Sequence, residues 1–449
     1  MPPAPKPSPA LDELRASKDA RVKVGVVDID GVLRGKYMDK AKFLAAAEGS
    51  GFGFCNVVFG WDSADVCYDN ATYTGWHSGY PDATARVDLT TFRRVPWEDG
   101  TPFFLADFDA EPCPRNLLKR VVKRAEAAGY KATFGMEFEW FNFRETPQSF
   151  AQKGYRSPEP LTPGMFGYSL LRAGQSQPFF TALMEETRAF RVPVEGLHTE
   201  TGPGVLEAAL GPADALEAAD RAVLFKSATK DIAPRFGIMP SFMAKWNQQL
   251  PGCSGHVHQS LSDGKKNLFF DEKAPHSMSK LYKSYLAGQL KCLPEILPMF
   301  APTVNSYKRL VDGYWAPTKP TWGVDNRTTA MRVIPAGPKS TRLETRVPGS
   351  DVNPYLAIAA CLASGLYGVE KKLELRDEPI VGSAYLDKKA ARLPRNLQEA
   401  TAKMADSKLA RELFGEGFVE HFVKTREWEW RQYQDSVSDW EMKRYFEII

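Results

Sequence analysis

The strongest constraint in this sequence is a pair of glutamates, Glu137 and Glu139, in the run FGMEFEWFNF. Their alternation with Phe138 and Trp140 predicts a β-strand that packs one face and presents both carboxylates on the other. Two like charges on one buried face raise each other's pKa or require a compensating cation. Taken alone, the run is also typical of a strand whose acidic face lies in solvent.

Two further segments add ligand-type side chains at the same spacing. In VEGLHTETGPGVLEAAL (194–210), the Gly-Pro-Gly turn predicts that Glu200 and Glu207 lie on adjoining strands of a hairpin or on strands close to it. In GCSGHVHQSL (252–261), His256 and His258 alternate onto one face after a Gly/Ser-rich approach. A lone histidine is usually a packed residue, but two at strand spacing favour a site.

A fourth segment contributes arginines. In STRLETRVP (340–348), Arg342, Glu344 and Arg346 share a strand face, and Arg327 and Arg332 precede them in NRTTAMRV. A charge-rich strand is commonly a solvated surface. Here the cations outnumber the nearby acids, so the pattern favours an anionic ligand over a lattice of salt bridges.

Together these segments predict a metal-assisted phosphate site. Hard carboxylate oxygens with an imidazole suit Mg²⁺ or Mn²⁺ rather than zinc, and two or more ions are expected per site. Cations and guanidinium groups around acidic strands are typical of phosphoryl transfer from a nucleotide, so ATP is predicted as co-substrate. The sequence lacks a P-loop signature, which indicates a nucleotide site of another kind.

Composition indicates a large globular enzyme. At 449 residues, 43% of them hydrophobic, the chain is expected to hold at least two structural units. A formal net charge of only +3 argues against a nucleic-acid partner. No run reaches the roughly 18 apolar residues of a membrane span, so no membrane partner is expected. The six cysteines are scattered, which favours reduced thiols and a cytoplasmic location.

The pattern along the chain predicts a boundary near residue 108. Residues 1–20 read as a disordered tail, and residues 21–108 as a domain of short strands with one helix over 40–47. Residues 109–449 read as a catalytic domain in which strands alternate with helices. The helices are predicted over 115–128, 212–235 and 278–293.

Several motifs resemble those of the bacterial-type glutamine synthetase family, in the family's order and along nearly the whole chain. They are the E-x-E strand, HTETGPGVLE, GCSGHVHQSL, NSYKRLVDGYWAP, NRTTAMR and RLETRVPGSDVNPYLAIAA. The resemblance implies an α+β protein with a small β-grasp-like N-terminal domain and a large α/β catalytic domain with an antiparallel sheet. It also implies a homo-oligomer of two stacked hexameric rings, with each site between neighbouring subunits.

The resemblance assigns roles to individual residues. It implies that ATP phosphorylates the γ-carboxylate of glutamate and that an amine displaces the phosphate. The implied metal ligands are Glu139, Glu200 and Glu207 for one ion, and Glu137, His256 and Glu344 for the second. His258, Ser260, Arg332 and Lys339 match nucleotide positions, and Arg327 matches the arginine that faces the transferred phosphoryl group. Arg309 and Arg346, with Gly252 and His256, match the glutamate site.

The departures from the family pattern concern the amine. Trp315 stands where ammonia-using members carry a flap glutamate, and Pro251 replaces an asparagine that latches this flap. An indole deletes an anionic contact for ammonium and supplies an apolar wall. The sequence therefore predicts a small organic primary amine as substrate, with Trp315 in its site. An ammonia-using enzyme and an inactive structural relative stay open as alternatives.

The base that deprotonates the amine is left open between two carboxylates. Asp62 lies in GWDSADV, where the family's neighbouring subunit contributes an aspartate, and Glu200 is the other candidate. Both are predicted to be near the amine.

Overall fold

A computed structural model describes residues 8–449, in which two mixed sheets carry the helices. The strands are β1 (Arg21–Val27), β2 (Leu33–Asp39), β3 (Phe52–Cys55), β4 (Asp82–Val95), β5 (Thr101–Phe108), β6 (Lys131–Phe143), β7 (Val194–Thr199), β8 (Val205–Leu210), β9 (Ala213–Asp214), β10 (Met239–Ser241), β11 (Gly255–Ser262), β12 (Trp322–Val324), β13 (Met331–Ile334) and β14 (Arg342–Thr345).

The helices are interspersed with the strands along the chain. They are α1 (Pro9–Ala16), α2 (Lys40–Glu48), α3 (Pro114–Ala127), α4 (Pro147–Gln152), α5 (Leu170–Gln175), α6 (Gln177–Ala189), α7 (Ala215–Ile232), α8 (Lys280–Cys292), α9 (Ser306–Arg309), α10 (Pro354–Glu370), α11 (Leu397–Ala405), α12 (Lys408–Phe414), α13 (Glu416–Asp435) and α14 (Asp439–Tyr445).

The predicted α+β architecture is confirmed. The smaller sheet has the order β2-β1-β5-β4-β3, with β1 and β5 parallel. The larger sheet runs β12-β13-β14-β11-β6-β8-β7, and its ladders are antiparallel except for β12 with β13. The first sheet ends at Phe108 and α3 begins at Pro114, on either side of the predicted boundary. We keep 21–108 and 109–449 as proposed domains.

The predicted disordered tail is wrong for part of its length. Residues 9–16 form α1, whose Leu11 and Leu14 are buried beneath the small sheet. Pro9 begins this helix, a position where its missing N–H costs nothing. Residues 1–7 of the predicted tail lie outside the described residues.

The main core lies between the large sheet and α10, α7, α3 and α8. Helix α10 is apolar nearly all round, as expected of a helix buried on every side. It approaches α8 so closely that a Cβ on Gly368 would lie 2.0 Å from the Ser284 carbonyl oxygen. This packing leaves the opposite face of the large sheet free to carry charged side chains.

No helix within residues 8–449 is long and apolar enough to cross a membrane. None of the six cysteines, all within the described chain, forms a disulfide. The predicted cytoplasmic location stays a prediction.

Candidate active site

Strand β6 places the two predicted glutamates on the open face of the large sheet. Phe138 and Trp140 are fully buried on the helix side, whereas Glu137 and Glu139 point the other way. The period of two predicted from the sequence is therefore correct, and the two carboxylates lie over the side of the sheet that the core helices do not cover.

Pairing across the sheet gathers further charged groups on the same face. Glu139 lies opposite Glu207 on β8, and Glu207 lies opposite His198 on β7. On the other side of β6, His256 lies opposite Glu137. Because directly paired residues project from the same face, these four strands contribute to one polar surface.

The row continues through β14 and β13. His258 on β11 lies opposite Glu344, and Glu344 lies opposite Arg332. Arg332 Nη1 donates to Glu344 Oε2 at 2.8 Å, and Arg346 forms an ion pair with the other oxygen of Glu344. Arg332 also donates from Nε to Asp325 at 2.9 Å. Glu344 is thus the buried junction between the acidic and the basic parts of the site.

The first carboxylate cluster surrounds β7 and β8. The predicted hairpin is confirmed, but Glu200 lies just past the end of β7, where its backbone N–H donates to the Val205 carbonyl. His198 Nε2 lies 3.2 Å from Glu207 Oε1, and His198 Nδ1 lies 3.7 Å from Glu200 Oε2. Possible ligand atoms of His198, Glu200 and Glu207 all fall within 4.8 Å of one another.

The second cluster surrounds His256. Its Nδ1 lies 3.2 Å from Glu137 Oε1 and 3.2 Å from Glu344 Oε1, and His258 Nε2 lies 3.4 Å from Glu137 Oε2. Glu137, His258 and Glu344 form another group of possible ligand atoms within 4.8 Å. His256 Nε2 is buried and has no hydrogen-bond partner among the described residues, which suits an atom that binds an added group.

The pKa directions show where negative charge is in excess. Burial, with the charges of Glu137 and Glu139, raises the pKa of Glu207 to about 8, although His198 opposes the rise. Burial likewise raises the pKa of Glu139, although the Arg309 charge and a hydrogen bond from the Ser254 backbone N–H oppose it. Carboxylates whose ionisation is disfavoured in this way gain from a bound cation, because the cation stabilises their charged form.

The second cluster is electrostatically different. Burial opposes ionisation of Glu137, yet His256 and His258 together hold its pKa well below the usual value. Burial and the Arg346 charge lower the pKa of His256 to about 4, so its ring is neutral at pH 7. A neutral imidazole between two carboxylates is the form that binds a metal ion. The residues present therefore fit two divalent cations with oxygen and nitrogen ligands.

A cleft beside the second cluster brings together three predicted nucleotide residues. His258, Ser260 and Lys339 line a cavity of about 360 Å³ that extends from Glu137 past Pro212. Arg342 Nε donates to His258 Nδ1 at 3.2 Å, which fixes that ring. Arg332, the fourth predicted residue, lies at the edge of the cluster on Glu344 instead.

The predicted carboxylate-binding arginines are buried next to each other. Arg309 ends α9 and donates from Nη1 to the Val347 carbonyl at 2.9 Å and from Nη2 to the Arg346 carbonyl at 3.3 Å. Burial, with the Arg346 charge, lowers the pKa of Arg309. Gly252 lies against Arg309, where an added Cβ would meet the arginine Cγ at 2.8 Å. Only glycine allows this approach.

Trp315 lies in the loop after α9 and is 57% exposed. Its φ of +61° places a bulky residue in the left-handed region, a conformation that costs about 1 kcal/mol or more. Together with Arg327, Val324, Ile380 and Val381, Trp315 lines a cleft of about 520 Å³. The structure thus brings two predicted residues, the indole and the arginine, to one cleft.

Asp62 is not brought to the cluster within its own chain. Its Oδ1 accepts from the backbone N–H groups of Ala64 and Val66, and its Oδ2 accepts from Trp428 Nε1 at 2.9 Å. The sequence predicted that it acts in the site of a neighbouring subunit, and a single chain leaves that prediction untested.

Two residues of the site were not assigned from the sequence. His198 joins the first cluster, and its alternation with Glu200 in HTE was the available signal. Tyr168 stacks on His198 with ring centroids 4.3 Å apart. It comes from an irregular segment between α4 and α5, where no periodic pattern exists to place a side chain.

Comparison with known proteins gives a consistent family. A family model described as glutamine synthetase, catalytic domain, matches residues 111–445. Type-1 glutamine synthetase 2 of Dictyostelium discoideum is 56% identical over 450 residues, covering 98% of this chain and 86% of the relative. A glutamate–isopropylamine ligase of a Pseudomonas species is 39% identical and covers 95% of both chains. The solved structure of a GmaS–ADP complex matches with a TM-score of 0.85 at 26% identity, covering 98% of this chain and 100% of the other.

Proposed function

Because the chain belongs to the glutamine synthetase family of carbon–nitrogen ligases, we propose that it joins glutamate to an organic primary amine at the expense of ATP. The products are a γ-glutamyl amide, ADP and phosphate. The acid must be activated first, because a carboxylate is a poor electrophile until it carries a leaving group.

The observation that carries the choice of amine is the cleft of Trp315. Its apolar walls are Trp315, Val324, Pro379, Ile380 and Val381. Its polar members are His276, Asn326, Thr328, Arg327, the residue proposed to face the transferred phosphoryl group, and Asp325, whose carboxylate is already paired with Arg332. A hydrophobic substituent on the amine gains by leaving water for such a wall, and an alkylammonium is attracted to the indole face. Ammonium has no apolar part to bury and finds no carboxylate at position 315.

The glutamate site uses paired guanidinium groups. We assign the substrate carboxylates to Arg309 and Arg346, whose planar groups match a carboxylate through parallel hydrogen bonds. Gly252 lies against Arg309, and we propose that it lies beside the amino group of the substrate. His256 and Arg346 both contact Glu344, so His256 is proposed to serve the glutamate site as well as a metal ion.

The nucleotide is assigned to the cleft of His258, Ser260 and Lys339, with Arg332 at its phosphate end. Mg²⁺ or Mn²⁺ would be held by the predicted glutamates and His256, and when bound would offset the repulsion between the nucleotide phosphates and the glutamate carboxylate. Arg327 is proposed to stabilise charge that develops on the transferred phosphoryl group.

The amine needs a base before it attacks. Glu200 in the same chain and Asp62 of the neighbouring subunit are the two proposed bases. The second requires an oligomer, and we propose two stacked hexameric rings. The exposed apolar residues of the C-terminus, including Trp440, Phe446 and Ile449, support a contact of this kind.

The second candidate function is glutamine synthesis from ammonia. The Dictyostelium relative, 56% identical, carries the name of a glutamine synthetase, which favours this candidate. An inactive scaffold is disfavoured, because a purely structural protein gains nothing from five carboxylates that repel each other.

A panel experiment separates these functions. The purified protein is incubated with ATP, Mg²⁺, glutamate and one of ammonium, isopropylamine, ethanolamine or aniline, and the condensed product is identified by mass alongside released phosphate. A γ-glutamyl amide formed in preference to glutamine supports the proposal. Glutamine as the preferred product contradicts it, and no phosphate release with any amine favours the inactive scaffold.

A further inference from the structure

We propose that Trp428 on α13 is a positioning residue for the amine site, because its indole holds the Asp62 carboxylate in place. This inference rests on the proposed function, in which Asp62 serves the site of the neighbouring subunit. It adds that a helix of the catalytic domain determines where that carboxylate lies.

The Asp62 carboxylate is fixed from two sides. Oδ1 accepts two backbone N–H groups of its own turn, those of Ala64 and Val66, at 2.9 and 3.0 Å. Oδ2 accepts the Trp428 indole N–H at 2.9 Å. The indole is the one donor to Asp62 that comes from outside the turn. Arg34 holds the turn elsewhere, through an ion pair with Asp65, so the indole determines the position of the Asp62 carboxylate itself.

The segment that carries Asp62 has little regular structure of its own. Between the turn of helix that ends at Phe59 and the start of β4 at Asp82, it is joined by a single bridge between Trp61 and Cys67. Its conformation must therefore depend on what it packs against.

One face of α13 supplies that support. Glu420, Lys424, Trp428 and Arg431 are spaced by four, four and three residues, which places them on one side of the helix. Thr72 donates to Glu420 Oε1 at 3.1 Å, Asn70 donates to the Lys424 carbonyl at 2.8 Å, and Arg431 donates to Asp69 Oδ2 at 3.1 Å.

Trp428 is the best shielded of these contacts. It is 7% exposed, and its ring meets Tyr68 edge-on with centroids 6.0 Å apart. A hydrogen bond that is screened from water holds its geometry better than the surface ion pair of Arg431 with Asp69. Removal of the indole N–H should therefore release Asp62 while the ring packing survives.

The test uses Trp428→Phe, which removes the N–H and keeps an aromatic ring. Trp430→Phe is the matched control, because Trp430 Nε1 is buried on the same helix without a hydrogen-bond partner in the described structure. Steady-state constants are measured with isopropylamine and, in parallel, with ammonium. We expect Trp428→Phe to lower kcat/KM for the amine about tenfold, the loss of one hydrogen bond to a charged group. KM values for glutamate and ATP should stay unchanged, as should all constants of Trp430→Phe.

A double variant shows whether Trp428 acts through Asp62. If it does, Trp428→Phe adds no further loss in an Asp62→Asn background, whereas independent effects would multiply. Equal losses in Trp428→Phe and Trp430→Phe, a loss confined to glutamate or ATP, or a full further loss in the Asp62→Asn background would overturn the inference. If the unmodified enzyme prefers ammonium, the proposed organic amine is wrong. The Trp428→Phe and Trp430→Phe variants are then compared with ammonium as the substrate.

Discussion

Glu139 on β6 lies directly opposite Glu207 on β8 in the antiparallel ladder of the large sheet. Like charges in this relation destabilise a sheet unless a cation lies between them. The pKa of both carboxyl groups is raised, first by burial, so their charged forms are destabilised at this place. The pair therefore costs stability that a cation at the proposed site would restore.

The first prediction concerns these cations. Glu139→Ala or Glu344→Ala should abolish phosphate release, because each removes a carboxylate proposed to hold the cations that offset the charge of the nucleotide. Without added metal, Tm of Glu139→Ala should stay close to that of the unmodified protein, since the removal of a buried carboxylate offsets the loss of the Ser254 hydrogen bond and of the Arg309 attraction. Added Mg²⁺ should raise Tm of the unmodified protein and raise that of the variant less.

The exposed Glu126→Ala provides the control, with unchanged turnover and unchanged response to Mg²⁺. Full phosphate release by Glu139→Ala or Glu344→Ala would show that the assignment of that residue as a metal ligand is wrong. His256→Ala should weaken binding of one ion selectively, because one of three proposed ligands of that ion is lost.

The second prediction concerns the acid substrate. Arg309→Lys or Arg346→Lys should raise KM for glutamate at least tenfold, consistent with about 1.5–3 kcal/mol for a charged hydrogen bond. KM for ATP should change little. Arg235→Lys, an exposed arginine paired with Glu186, is the control. An effect on the amine constant alone would move both arginines to the amine pocket.

The third prediction is a pH dependence of stability. Burial and the Arg426 charge lower the pKa of His421 to about 3, whereas the unfolded value is about 6.5. Below pH 6.5 the unfolded chain binds a proton at this histidine and the folded protein does not. The free energy of unfolding therefore falls by about 1.4 kcal/mol per pH unit as the pH is lowered toward 3.

His421→Phe should remove this loss of stability at low pH. Phenylalanine suits the site, because neither ring nitrogen of His421 has a hydrogen-bond partner within residues 8–449 and the ring packs edge-on against Tyr73. The drop in Tm between pH 7 and pH 5 should be smaller in this variant than in the unmodified protein. His77→Gln, at an exposed site, should keep the original drop. An equal drop in all three proteins would refute a buried neutral His421.

The fourth prediction concerns assembly. Residues 438–449 include Trp440, Phe446, Ile448 and Ile449, which are 59 to 95% exposed in the single chain. Their deletion should split a dodecamer into hexamers, since the apolar end is proposed to insert into the opposite ring. Light scattering measures the mass directly, and an unchanged mass would show that the end packs elsewhere.

Strand periodicity was sufficient to place most of the site. Because side chains alternate strictly along a strand, the spacing of Glu137 with Glu139 and of His256 with His258 fixed the face on which each lies. The sequence says less about which residues of different strands lie next to each other. Glu200 was expected within a strand but lies in the turn, and Tyr168 comes from a segment without periodicity.

Other features depend on contacts that local pattern does not encode. Helix α1 forms because Leu11 and Leu14 find a buried place against the small sheet, although the surrounding sequence is rich in proline. The hydrogen bond from Trp428 to Asp62 joins residues that are 366 positions apart. This hydrogen bond forms because α13 packs against the segment that carries Asp62, and no signal in either segment indicates it.

The most direct test of the account is the ratio of kcat/KM for an organic primary amine to that for ammonium in the unmodified enzyme, measured with saturating ATP, Mg²⁺ and glutamate. We expect a ratio of at least ten for the preferred amine. The Trp315 face contributes about 0.5–2 kcal/mol to binding of an alkylammonium, burial of its apolar substituent adds to this, and neither effect helps ammonium. Trp315→Glu should reduce that ratio, through better use of ammonium or poorer use of the larger amine. An efficiency with ammonium equal to or above that with every organic amine would contradict the account and identify the enzyme as a glutamine synthetase with an altered flap.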